Sequence, residues 1–177
     1  MIRTTLAKAY IKRTLRPLYA WTQSTPKSCF LDPSWDRSVP IWPGMVATKT
    51  SGENVTLIGG DAGTTLATSL PYGLIGMYVG GDGIDEPLDA GINTFAVWVL
   101  TPDAEFEVLA PAFDTGATWT DPGDGTEVLL YPIVSLGGNQ GKLVPAGTTG
   151  RGTLGTTAAA RLIRVNSATK ITIGGVR

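Results

Sequence analysis

Glycine and proline interrupt this sequence along its whole length. The 177 residues include 23 glycines and 12 prolines, well above the roughly 7% and 5% of these residues in average proteins. Glycine loses the most backbone entropy on folding and proline lacks a backbone N–H, so both disfavour the interior of a helix. Short strands joined by tight turns accommodate them better. The sequence therefore predicts an all-β fold.

From Pro43 onward, short apolar or alternating segments lie between glycine-rich turns. Residues 54–58 alternate, with Thr56 on the face opposite Val55 and Leu57, and in residues 105–109 the alternation places Glu105 and Glu107 outward. Further strands are predicted at 72–79, 92–100, 127–134, 161–165 and 170–176, and residues 156–164, the only helical competitor, are interpreted as a lead-in loop and a strand. Seven to nine short strands predict a small β-barrel or β-sandwich.

The first 38 residues differ from the rest. Residues 1–16 are basic and acid-free and could form a short amphipathic helix that ends at Pro17. Residues 17–43 contain five prolines, which favour an extended path, together with large aromatic side chains that disordered linkers lack. We therefore predict a docking arm at 1–38 and a β-rich body at 39–177. The expected partner-binding residues are Arg13, Arg16, Tyr19, Trp21, Phe30, Trp35 and Trp42.

The basic arm has three interpretations. It could bind nucleic acid through phosphates, although its basic residues are too scattered for a dense cluster. It could be a mitochondrial presequence, but a cleavable peptide does not need the aromatic, proline-rich continuation. Docking on a neighbouring protein explains the charge, the aromatic residues and the prolines together, so we expect a protein partner rather than nucleic acid.

Charge is segregated along the chain. Residues 1–49 carry eight basic and two acidic side chains, residues 50–141 carry thirteen acidic side chains and no basic one, and residues 142–177 carry six basic side chains and no acidic one. Blocks of one sign bind partners of the other sign. The arm of one copy could therefore complement the body of the next, which favours an assembly.

The residue inventory excludes several kinds of enzyme. With no histidine and one cysteine, Cys29, the chain cannot build a Ser–His–Asp triad, a Cys–His pair or a multi-cysteine zinc site. Residues 82–89 contain four carboxylates without the spacing of an EF-hand, which indicates a solvated acidic turn more than a cation site. Residues 150–155 match G-x-G-x-x-G, but no acid follows them, so we interpret them as a loop. We expect no cofactor, no metal and no catalytic residue.

Membrane insertion is not expected. The longest apolar stretch, 66–79, contains Pro71 and is shorter than the roughly 20 residues of a transmembrane helix. Residues 1–20 lack the continuous apolar region of a secretory signal.

Five segments resemble the head decoration proteins of tailed bacteriophages. Residues 40–58, with a proline-glycine entry into a strand and a Gly-Glu turn into the next, look like the start of the β domain in that class. The apolar segments 72–79 and 91–100, the acidic segment 102–108 and the basic-apolar ending 161–173 are similar to it as well. The resemblance implies a non-catalytic virion protein on the capsid exterior. It also implies the major capsid protein and copies of itself, as a homotrimer or as lattice neighbours, as partners.

Two other functions remain open from the sequence. A tail or connector protein of a virion would share the β-rich, histidine-free character. A carboxylate-based enzyme would need two acidic side chains in one cleft.

Overall fold

The fold is all-β throughout the part of the chain that the computed structural model describes, namely residues 14–19, 24–33, 41–59, 70–76, 94–123, 126–135 and 137–177. The strands are β1 (Leu15–Tyr19), β2 (Thr25–Leu31), β3 (Val46–Ser51), β4 (Asn54–Leu57), β5 (Gly73–Ile75), β6 (Thr94–Val99), β7 (Glu105–Leu109), β8 (Val128–Pro132), β9 (Leu143–Pro145), β10 (Ala160–Ser167) and β11 (Lys170–Gly174). The predicted fold class is confirmed. None of the described residues belongs to a helix with the length and apolarity that a membrane crossing requires.

The strands form a sheet and a barrel. The six-stranded sheet has the order β1-β7-β11-β10-β8-β9, and β2-β4-β3-β5-β6 close into a barrel. All strand pairs are antiparallel except β2 with β4. One apolar cluster joins the two halves, since it includes Val55 and Leu57 from the barrel and Phe106, Val108 and Ile171 from the sheet.

Two polar side chains on the second face of β4 and β7 are buried, and one of them, Glu107, was expected to point outward. Thr56 is 4% exposed and Glu107 is 7% exposed. Alternation predicted that one face of each strand would be covered, but Thr56 lies in a barrel whose outer wall is covered at this point. Glu107 lies between the long side chains of neighbouring strands, as described below. The outward placement expected for Glu107 was wrong because other parts of the chain cover that face.

The N-terminal segment pairs with the rest of the chain. In β1, Leu15 lies opposite Val108, and in β2, Phe30 lies opposite Thr94. Tyr19 and Thr25 are as far apart along the chain as their pairing partners, Glu105 and Val99. The register at the end of β1 on β7 is therefore the same as that of β2 on β6. Residues 15–19 thus pair with residues 105–108 in the sheet, and residues 25–30 pair with residues 94–99 in the barrel.

Part of the possible N-terminal helix is strand instead. Leu15 and Arg16 belong to β1, because Leu15 is buried against the sheet and the strand pairs with β7. Residues 1–13 lie outside the described residues. The division of the chain at residue 38 stays a prediction, to which the structure adds that β1 and β2 pair with strands of the body.

The two halves meet at closely approaching backbones. Gly59, with φ of 101°, follows β4 and lies so close to Val134 that a Cβ atom would overlap the Val134 carbonyl oxygen. The buried side chain of Gln140 donates from Nε2 to the Ile58 carbonyl oxygen at 3.2 Å. Val46 N donates to the Gly141 carbonyl oxygen at 2.8 Å. These contacts fix the barrel against the turn that precedes β9.

Candidate docking surface

Two of the predicted partner-binding residues, Tyr19 and Phe30, present large side chains to solvent. Tyr19 ends β1 and is 68% exposed, and its neighbour Leu18 is 37% exposed. The register of β1 on β7 shifts between Pro17 and Tyr19, so Leu18 lies in an irregularity of the ladder. Such a bulge turns side chains away from the regular pleat. An apolar and aromatic pair therefore projects from this end of the sheet.

Phe30 projects from the barrel. Its neighbours in the chain, Cys29 and Leu31, are buried, whereas Phe30 is 49% exposed. Side chains alternate between the two faces of a strand, so a residue between two inward-facing neighbours points to the outer wall of the barrel. The Phe30 backbone is held firmly, since its N–H donates to the Glu53 carbonyl oxygen at 2.9 Å and its register partner is Thr94. A half-exposed phenylalanine on a rigid wall is a favourable contact residue.

Arg16 binds within its own chain. Its Nη2 lies 3.0 Å from Glu107 Oε1, and Lys170 Nζ approaches the other carboxylate oxygen at 3.6 Å. The Glu107 side chain is 9% exposed, against 30% for Arg16 and 38% for Lys170. Arg16 Nε is buried without a hydrogen-bond partner among the described residues. This arginine therefore joins β1 to β7.

Trp42 also packs inward. It is partly buried against the apolar cluster, and its backbone N–H donates to Met45 Sδ at 3.1 Å. The other three predicted contact residues, Arg13, Trp21 and Trp35, lie outside the described residues, as does the acidic loop 82–89. The structure thus separates the predicted set into the exposed Tyr19 and Phe30, the internally bound Arg16 and Trp42, and three residues that it does not describe.

The segregated charges complement each other within one chain. Arg16 from the basic N-terminal block and Lys170 from the basic C-terminal block both pair with Glu107 of the acidic block. Arg151 pairs with Asp114 through two short hydrogen bonds, each 2.6 Å. The sequence pattern had suggested pairing between copies, and these three pairs satisfy part of it internally.

The ion pair between Asp114 and Arg151 is the shortest of the three. Asp114 is 3% exposed and also accepts from Gly116 N at 2.9 Å. The hydrogen bonds from Arg151 lower the pKa of Asp114 below its usual 3.8, against the opposing effect of burial. Burial lowers the pKa of Lys142, which lies in the same region and donates to Asn139 Oδ1 at 3.1 Å. The arrangement fastens the loop after β7 to the loop before β10.

The glycine-rich segment 150–155 forms this second loop. Arg151 is bound to Asp114, and Leu154 makes an isolated bridge to Ile133. Strand β10 follows it, which agrees with the interpretation of the segment as a loop.

Burial raises the pKa of the Cys29 thiol inside the barrel. Among the described residues, no three histidine, cysteine, aspartate or glutamate side chains are grouped as metal ligands would be.

Sequence comparison identifies one family across the chain. A family model described as phage cement protein matches residues 1–177. No curated protein matches the sequence, and no solved structure matches it.

Proposed function

The chain belongs to the phage cement protein family, and from that premise we propose that it binds the outer surface of a tailed-phage capsid lattice and stabilises the shell against internal pressure. Its partners would be the major capsid protein and neighbouring copies of itself, as a homotrimer or as lattice neighbours. The role is structural, with no catalytic step.

The family match carries the proposal, because it covers the whole chain. The described surface supports it. Rigid β-sheets present Tyr19 and Phe30 at fixed positions, and rigid aromatic side chains lose little entropy when they are buried in an interface. A protein that resists deformation of a shell benefits from such preformed contacts, since the binding energy is not consumed in ordering the surface.

Re-decoration of stripped particles tests the proposal. Capsids without the protein are incubated with wild-type chain, with the double variant Tyr19→Ala/Phe30→Ala, or with Leu70→Ala, and bound protein is quantified. Leu70 is a matched control, because it is 66% exposed and lies outside the predicted contact set. Each lost aromatic contact should weaken binding by about 1–2 kcal/mol. The double variant should therefore need at least about tenfold more protein for half occupancy, whereas the control should bind like the wild type.

The same particles test the role. Decorated shells should withstand higher temperature or osmotic shock than bare shells, and the gain should follow occupancy across the variants. Cryo-electron microscopy of decorated particles should show density over the lattice exterior. Density confined to the tail or to one vertex would favour a tail or connector protein, and unchanged shell stability at full occupancy would refute the stabilising role.

A further inference from the structure

Strand β2 is paired along one side and open along most of the other. Its residues 25–30 pair with β6, whereas the described part of β4 lies opposite only the last two residues of β2. The N–H of Phe30 donates to the Glu53 carbonyl oxygen at 2.9 Å, so the backbone groups of Phe30 point away from β6. Because these directions alternate along an antiparallel ladder, Ser28 and Pro26 also direct their backbone groups to the open side.

This open side is accessible to solvent. Pro26, Lys27 and Ser28 are three consecutive exposed residues, and the backbone groups that face the open side belong to the first and the last of them. The buried Ser24 and the pairing of Phe30 with β4 mark its two ends. An accessible strand edge is a template for pairing with another chain.

Two residues of the open side oppose such pairing. Pro26 has no N–H at a position where an added strand needs a donor. Lys27 lies two residues before the buried Cys29, so alternation directs its side chain to the same face as Cys29. A strand added here would cover an ammonium group that now lies in water, at a cost in free energy. Proline and inward-pointing charged residues are devices by which natural sheets protect their edges.

The pairing of two copies would meet both obstacles at once. A two-fold antiparallel ladder along this side would centre on Lys27, and residue 26 of each copy would lie opposite residue 28 of the other in a hydrogen-bonded pair. Because Pro26 has no N–H, one hydrogen bond of each such pair would be missing. The two Lys27 side chains would lie directly opposite each other, which is unfavourable for like charges.

We propose that Pro26 and Lys27 keep the open side of β2 from accepting a strand of another copy, so that this wall of the barrel contacts its partners through side chains such as Phe30. The close approach of copies on a shell rests on the proposed function. The protection of the edge is a property of the free protein and is tested without capsids.

The test compares two double variants of the full chain. Pro26→Val/Lys27→Val restores the missing N–H and removes the charge at the open side. Lys49→Val/Pro102→Val makes the same change in composition elsewhere, since both residues are exposed and lie in β3 and in the turn before β7. A symmetric pair of the first variant would gain two hydrogen bonds and lose the repulsion, which strengthens self-association on the order of tenfold to a hundredfold. Sedimentation velocity over a range of concentrations should therefore show larger species for this variant, whereas the control should sediment like the wild type.

Equal sedimentation of the two double variants would overturn the proposal, whether both resemble the wild type or both associate through their added apolar surface. Should Pro26→Val/Lys27→Val not fold, as judged by circular dichroism, hydrogen exchange of the wild type decides. The Ser28 amide faces the open side, so it should exchange faster than the Cys29 amide, which faces β6, and at a rate independent of protein concentration. Slower exchange of Ser28 at higher concentration would show that the edge accepts a strand despite Pro26 and Lys27. These measurements use free protein, so they stand whether or not the chain binds capsids.

Discussion

Leu15→Ala tests whether β1 is part of the fold. Leu15 is 4% exposed and lies opposite Val108 in the ladder. Replacing a buried leucine by alanine costs about 2–5 kcal/mol, since apolar contact is lost and a cavity remains. An edge strand can partly collapse onto the cavity, so we expect about 3 kcal/mol. For a chain of this size, that corresponds to a fall in Tm of about 6–12 °C.

The matched control is Leu18→Ala in the same strand. Leu18 is 37% exposed, so its truncation should cost less than about 1 kcal/mol. Urea unfolding gives the free energies and thermal unfolding gives the Tm values. Equal stability of the two variants would refute the reasoning, because it would mean that β1 does not pack against the sheet in solution. In that case residues 15–19 would behave as a detachable arm.

Three further changes have expected outcomes. Because the pKa of Asp114 lies below its usual 3.8, its ion pair with Arg151 stabilises the protein above about pH 4, and this stabilisation disappears as the pH falls through the folded-state pKa. In urea titrations from pH 6 to 2.5, the free energy of unfolding of Asp114→Asn should therefore fall less steeply with decreasing pH than that of the wild type. Glu107→Gln should lower the free energy of unfolding in urea by about 1–2 kcal/mol, a modest amount because the side chains of its two partners are about a third exposed. Glu105→Gln should lower it much less, and equal effects of the two variants would contradict the contacts described. Gly59→Ala should lower the free energy of unfolding by about 3 kcal/mol or more. Gly137 also has a positive φ but has open space around it, so Gly137→Ala should cost only the backbone strain of about 1–2 kcal/mol. Similar losses of stability for the two variants in thermal unfolding would argue against a close approach at Gly59.

The set of contact residues stays a prediction, to which the structure adds where their side chains lie. The aromatic residues among the prolines of residues 17–43 marked Tyr19 and Phe30 as contact residues, and both are exposed. The same pattern marked Arg16 and Trp42, which bind within the chain. A basic or aromatic side chain has the same appearance in a sequence whether its partner is in the same molecule or in another. Only the tertiary structure distinguishes the two cases, and whether Tyr19 and Phe30 bind a partner stays a prediction.

Local patterns determined much of the fold. The alternation of apolar residues predicted β4 and β7, and the apolar runs predicted β5, β6, β8, β10 and β11, because each of these strands has at least one face covered and its side chains repeat with period two. Glycine and proline content predicted the all-β class. The absence of histidine and the single cysteine excluded several catalytic centres directly from composition.

Pairing between distant segments decided the rest. Strands β1 and β2 lie in a proline-rich stretch without regular alternation, and they became strands because β7 and β6 offer them pairing partners. Glu107 is buried because Arg16 and Lys170 arrive from opposite ends of the chain. The sequence around a residue determines its intrinsic preference and the side to which it points, but the cover over that side comes from segments about 60 to 90 residues away, through hydrogen bonds and packing that exist only once the chain has folded.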